Sequence, residues 1–376
     1  PKIVRGQKRS DLYFYGYGDR QIQGGVRMAS DKRIKKVRGF ELCMFVLLAS
    51  LFIFLWFCET SNATSQQMKE LVEGAKKEGE LVYYASMNLK EANTMINRFR
   101  KKYPFLKVKL NRTGSSRLLA KVLTEARAKK LSADVVQTLE FSMHTFRKKG
   151  ILGHYVSSEN RFYPYEFKEE GYWITAYYNP YVVAYNTEMV HGESIPKTYK
   201  DLLSPRWKGK MMMEGTKVDW FAGMLQIMGR EKGLKYMRDL SKQNITLQRG
   251  HTLIAQLVAA GEAPLDINIP ASSVGRLKKR GAPLDWTALG PVPGIMVGIG
   301  IASEAPHPNA AKLYVNFMLS REAQRLLRGF GRSGARSDIT QEQPEEIKRI
   351  KVVPVNPALA EDINEYARLL REIFSK

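Results

Sequence analysis

From residue 64 onward the chain alternates short β-rich runs with segments whose apolar residues recur at helical spacing, and this alternation limits the fold more tightly than any motif does. Met68, Leu71, Val72 and Ala75 stand at i, i+3, i+4 and i+7, with Gly79 where a helix C-cap belongs. Residues 81–85 form a β-rich run. Ala92, Met95, Ile96 and Phe99 then resume the helical period until Tyr103-Pro104 stops it. A strand at 106–110, a helix carrying Leu118, Leu119, Val122, Leu123 and Ala126, and a strand at 133–137 follow. This order predicts an α/β fold with a mostly parallel sheet, helices on both faces, and a ligand at the carboxyl ends of the strands.

Residues 162–185 contain ten aromatic side chains in 24 positions and end as a long strand. A second αβ block follows. It has a run at 207–213, an apolar helix at 220–227, a helix with Leu253, Ile254, Leu257 and Val258 closed by Gly261, and a strand at 265–269. Residues 294–302 read as a buried strand, and Asn309 as the cap of a helix with Ala311, Tyr314, Val315 and Met318 on one face. With 376 residues, two domains are expected.

The first 63 residues have a different character. Residues 1–27 show no sustained apolar period and read as an upstream extension, while 28–63 read as a secretory leader: Lys32, Arg33, Lys35, Lys36 and Arg38, then the apolar run 43–58, then Ser61-Asn62-Ala63. Cleavage would leave Thr64 first, and an uncleaved leader would anchor the chain to the inner membrane. Both cysteines, Cys43 and Cys58, lie in this leader, which excludes a disulfide scaffold or a cysteine zinc site in the remainder. The whole chain has a formal charge of +23, and residues 64–376 keep +17, a balance that draws anions.

Most catalytic motifs fail on context. Gly329-Phe-Gly331-Arg-Ser-Gly334 has dinucleotide-fingerprint spacing but follows a helix rather than a strand. The five histidines, His144, His154, His191, His251 and His307, form no metal-binding pair and read as surface residues. Lys129-Lys130 and Lys278-Lys-Arg280 lack interleaved aromatics and read as solvated helix faces, with no nucleic-acid partner. Thr113-Gly114-Ser115-Ser116 precedes a helix, where free backbone N–H groups suit an anion; a serine there can equally serve as an N-cap.

After the leader, Glu73-Gly-Ala-Lys-Lys-Glu-Gly-Glu-Leu-Val-Tyr-Tyr84, Gly114-Ser-Ser-Arg-Leu-Leu-Ala-Lys-Val122, Tyr185-Asn-Thr187, Trp207-Lys-Gly-Lys210, Ala255-Gln-Leu-Val-Ala-Ala-Gly-Glu262 and Pro308-Asn-Ala-Ala311 together resemble the periplasmic solute-binding proteins of ABC importers, in the branch of the ferric-iron binders. The resemblance implies a type II two-lobed fold with a ligand cleft between lobes joined by crossover strands. Lobe 1 would comprise 64–180 and 292–331, lobe 2 181–291, and a helical segment at 332–376 would pack on the lobes. It implies a monomeric, non-catalytic protein of the periplasm, without a resident cofactor, that captures a small solute and delivers it to an inner-membrane permease.

Carried over by position, the ligand-binding residues would be Ser86 and Gly114, Ser115 and Ser116 on one lobe, with Thr216, Asp266, Ser272 and Ser273 on the other, and Trp173 and Trp220 walling the cleft. The chain departs from the iron binders in lacking adjacent tyrosines over 266–273. Transported ferric ion would therefore need oxygen ligands such as Asp266, or would arrive as an anionic complex; a small organic or phosphorus-containing anion is the other expected solute. The Tyr83-Tyr84 and Tyr177-Tyr178 pairs read as structural. An exported enzyme on the same fold, and a membrane-anchored basic interaction protein, are the alternatives.

Overall fold

The computed structural model describes residues 66–343 and 345–375; the extension and leader expected over 1–63 lie outside the described residues. In chain order the helices are α1 (66–78), α2 (Leu89–Lys102), α3 (Ser115–Arg127), α4 (Glu140–Lys148), α5 (Val218–Met228), α6 (Arg230–Ser241), α7 (His251–Ala259), α8 (Ala271–Lys278), α9 (Pro308–Leu319), α10 (Arg321–Gly329), α11 (Glu345–Lys348) and α12 (Ile363–Phe374). The strands are β1 (Glu80–Ala85), β2 (Lys107–Arg112), β3 (Val135–Leu139), β4 (Lys168–Glu169), β5 (Trp173–Asn186), β6 (Met211–Glu214), β7 (Thr246–Gln248), β8 (Leu265–Pro270), β9 (Leu284–Thr287), β10 (Val292–Ile301) and β11 (Val352–Pro354).

The strand order is β2-β1-β3-β10-β5-β8-β6-β7. β1 pairs in parallel with β2 and β3, and β6 with β7 and β8, as strands joined through helices must. The departures from a parallel sheet centre on β5, antiparallel to β4, β8, β9 and β10, and on β10, which is antiparallel to β3 and β5 but pairs in parallel with β11. β5 belongs to both lobes. Through Pro180 it pairs with β10, and from Tyr181 it pairs with β8 and β9, so the chain changes lobes between Pro180 and Tyr181.

Each lobe has its own apolar core. In the first, Tyr83, Phe99, Tyr314 and Phe317 pack together, with Phe99 and Tyr314 edge to face at 4.9 Å. In the second, Trp207, Trp220, Phe221 and Met237 pack with Tyr366, Leu369, Leu370 and Ile373 of α12, so this last helix completes the second core. The helix after residue 307 starts differently from the sequence expectation. Pro308 occupies the first helical position, and the cap is supplied by Glu78 at the end of α1, whose carboxylate accepts from the backbone N–H of Asn309 at 3.0 Å and of Ala310 at 2.8 Å. This contact ties the first helix to the ninth.

Candidate functional site

Side chains on an extended strand alternate, so Tyr177, Asn179 and Tyr181 share one face of β5 across the point where the lobes join. Beside Tyr177 and Asn179 lies Arg332, delivered by the turn Gly329-Phe330-Gly331 that ends α10, with Gly331 at φ 78. The Arg332 guanidinium meets Glu91 of α2 through Nε at 3.0 Å and Nη2 at 3.3 Å. Its Nη1 donates to Asn179 Oδ1 at 2.8 Å and to Ser272 Oγ at 3.2 Å, and the group lies 4.9 Å from the centre of the Tyr177 ring. Burial works against this charge, yet Tyr177 and Glu91 outweigh it and the Arg332 pKa ends above the ordinary value.

The opposite wall is α8. It starts directly after β8, with Pro270 at its cap and no side-chain cap bond, so Ser272 and Ser273 stand in its first turn. Ser273 Oγ accepts from Arg276 Nη2 at 3.1 Å. Arg276 Nη1 is 3.9 Å from Glu91 Oε1, too far for a hydrogen bond, and is buried without an acceptor. Burial, and then Arg332, lower the Arg276 pKa. A pocket of about 390 Å³ opens here between α2, α7, α8 and the 329–331 turn, with Lys90, Arg276, Lys279 and Arg280 in its wall against one carboxylate, Glu91.

On the other side of Tyr181 the charge reverses. Glu140, first residue of α4, is fully buried with both carboxylate oxygens unpartnered; burial, then Asp219 of α5, pushes its pKa well up. Glu214 accepts the Thr216 hydroxyl at 2.8 and 3.0 Å. Burial, and then Glu214, raise Asp266 to about 7 against the pull of the Asn268 amide. Burial and the surrounding carboxylates also keep Tyr181 protonated, and its hydroxyl lies 3.2 Å from His251 Nε2. Burial and Lys217 hold His251 neutral.

The structure sorts the residues expected from sequence. Ser272 and Ser273 come together at the arginines. Ser86 follows β1, half-buried, with its backbone N–H bonded to Gln137 O at 3.0 Å. Gly114 itself is the N-cap of α3, and neither Ser115 nor Ser116 makes a side-chain cap bond, which leaves the helix start uncapped. Thr216 is exposed, and its hydroxyl is occupied by Glu214. Asp266 has 0% exposure and lies within β8, inside the lobe rather than on the cleft surface.

The tryptophans require correction. Trp173 belongs to the first core. Its indole N–H donates to Glu169 at 2.7 Å, and the ring lies so close to Gly298 that a Cβ there would come within 2.6 Å. Trp220 belongs to the second core. Neither was distinguishable by type from a cleft wall, because both uses need a buried aromatic.

Of the histidines, His154 and His191 are exposed as expected, while His144, His251 and His307 depart from the surface reading. His144 is buried, with Nε2 3.2 Å from Glu361, and His307 Nδ1 lies 2.8 Å from Asp134. The tyrosine pairs are buried as expected, but Tyr177 also forms part of the site beneath Arg332. Glu91, Asn179, Arg276 and Arg332 were missed. The available signal was the Gly-Phe-Gly-Arg turn after a helix, read only for its failure as a nucleotide motif.

A model of the bacterial extracellular solute-binding protein family matches residues 132–361. An uncharacterized Haemophilus influenzae protein is 26% identical over 269 residues, covering 67% of this chain and 76% of its own. The Fe(3+)-binding periplasmic protein of Serratia marcescens is 23% identical over 168 residues, 42% of this chain and 49% of its own. Among solved structures, the periplasmic binding protein AfuA of Actinobacillus pleuropneumoniae with fructose-6-phosphate bound is similar at TM-score 0.66 and 25% identity, over 78% of this chain and 97% of that one. Iron-bound HitA of Pseudomonas aeruginosa is similar in fold at TM-score 0.69 and 20% identity, over 78% and 99%. With two lobes, a charged cleft at their junction and a family match over more than half its length, the chain belongs to the bacterial extracellular solute-binding proteins, the solute-capturing components of ABC importers.

Proposed function

We propose that the solute is a small phosphorylated compound, captured with its anionic group between Arg276 and the start of α8. The observation that carries this reading is Arg276 Nη1, a charged donor buried at the lobe junction without an acceptor. A charged donor without an acceptor favours an anion beside it, and with its side chain 34% exposed Arg276 is within reach of a solute in the pocket. The surplus of cations around the pocket and the phosphate carried by the ligand of AfuA support the same class. Bare ferric ion suits the site less well. Burial raises the pKa of Tyr83, Tyr177 and Tyr181, which opposes tyrosinate ligation, and among the described residues no three His, Cys, Asp or Glu side chains form a metal-holding group.

Delivery without chemical change is the accompanying reading. His144, His251 and His307 are engaged by Glu361, Tyr181 and Asp134, none of them a serine or cysteine nucleophile. The protein would act as a monomer in the periplasm after loss of residues 28–63, hold no resident cofactor, and hand its solute to an inner-membrane permease. Lobe closure about β5 and β10 would accompany binding. Native mass spectrometry of the protein purified from its own periplasm tests the solute class. We expect an organic phosphate released on denaturation; a bare ferric ion with no accompanying anion would overturn the reading.

A further inference from the structure

Residues 98–130 contain twelve Lys or Arg and one acid, Glu125. The topology gathers many of them at one place. Because β1, β2 and β3 are parallel and joined through α2 and α3, the ends of these helices lie at the amino edge of the sheet, away from the cleft. Arg100, Lys101 and Lys102 close α2, Lys107 opens the edge strand β2, and Lys129 and Lys130 follow α3; all six are exposed. Ordinary uses account for part of this. Cations complement helix C-termini, lysines protect sheet edges, and Arg98, Lys109 and Lys121 are paired with Glu322, Glu80 and Glu125. Among the described residues the six named above form no ion pair with an acid.

The same end of the lobe has a second feature. A pocket of about 500 Å³ lies between the ends of α3 and α4, with Leu123, Leu131 and Ile151 in its lining and Arg127, Lys129 and Lys149 as its cations against Glu304. Lys129 holds a left-handed backbone, φ 53, where glycine is the usual choice after a helix. An apolar lining beside three cations matches a phospholipid headgroup and the upper part of its chains. A broad field of lysines whose nearby aromatics, Tyr103 and Phe105, pack against the first core matches a charged plane better than a nucleic-acid strand.

We infer that the amino edge of the first lobe, Arg100 to Lys102 with Lys107, Lys129 and Lys130 around the Leu123–Ile151 pocket, docks on an anionic lipid surface. The test is flotation of the full chain with phosphatidylcholine vesicles, with and without phosphatidylglycerol. Insertion of the apolar run contributes equally to both, and the leader's cations at 32–38 favour the anionic vesicles in every variant, so the face is read from what the substitutions remove. Anionic vesicles should bind about tenfold more tightly or better, and raised salt should remove that gain. Replacing Arg100, Lys101, Lys102, Lys129 and Lys130 by Gln should remove most of it, whereas replacing Lys197, Lys200, Lys208, Lys210 and Lys232 by Gln should leave it intact. Circular dichroism should show both variants folded. Equal binding to the two vesicle types, equal losses in the two variants, or a preference for soluble polyglutamate over anionic vesicles would each overturn the proposal.

Discussion

Tyr177 and Tyr181 lie four residues apart on one strand, and the buried charges around them have opposite fates. Beside Tyr177, Arg332 is enclosed by a bidentate carboxylate, an amide oxygen, a hydroxyl and an aromatic face, and it stays charged. Beside Tyr181, Glu140 and Asp266 are equally enclosed but lack cationic partners of that quality, and their pKa values rise. Burial is common to both regions, so the completeness of the hydrogen-bonded shell decides whether a group keeps its charge.

The largest effect should come from removing the arginine. Arg332→Leu leaves Glu91 buried without its partner and should cost about 3–5 kcal/mol in urea unfolding. Adding Glu91→Leu should recover much of that loss, because no unpaired charge then remains. If the double variant is as unstable as the single one, the shell around Arg332 matters for packing rather than for charge.

Asp266 should show the reverse behaviour. Its folded pKa, about 7, lies above the ordinary 3.8, so the folded state binds the extra proton between these values. The stability this supplies is complete below about pH 4 and is lost as pH rises through 7. Asp266→Asn should therefore gain on the parent as pH rises, by up to about 4 kcal/mol by pH 8. A constant difference from pH 4 to 8 would show that the carboxylate stays ionised.

The smallest effect belongs to the α3 start. Since Gly114 is the cap and no serine caps the helix, Ser115→Ala and Ser116→Ala should each change stability by less than about 0.5 kcal/mol. A loss near 1 kcal/mol in thermal or urea unfolding would reinstate the serines as caps.

These contrasts also explain what was legible in the sequence. Alternating elements could be read because apolar periodicity is a local property, whereas Ser272 and Ser273 were reached only by position, through the family resemblance. The cap of α9 was misread at Asn309 because the capping carboxylate is Glu78, on α1. Glu91, Arg276 and Arg332 come from three elements far apart in the chain, and nothing within any one of them marks it as facing the other two. The tryptophans misled because burial in a core and exposure to a cleft require the same residue type.

The central claim is that Arg276 supplies the charge that selects the solute, and calorimetry with fructose 6-phosphate, fructose and ferric citrate tests it most directly. The parent should bind the phosphate ester and not fructose. Arg276→Gln should weaken phosphate-ester binding about ten- to a hundredfold, by loss of a charged hydrogen bond, while unfolding as the parent does. Equal binding of fructose and its phosphate, or undiminished affinity in Arg276→Gln, would contradict the account.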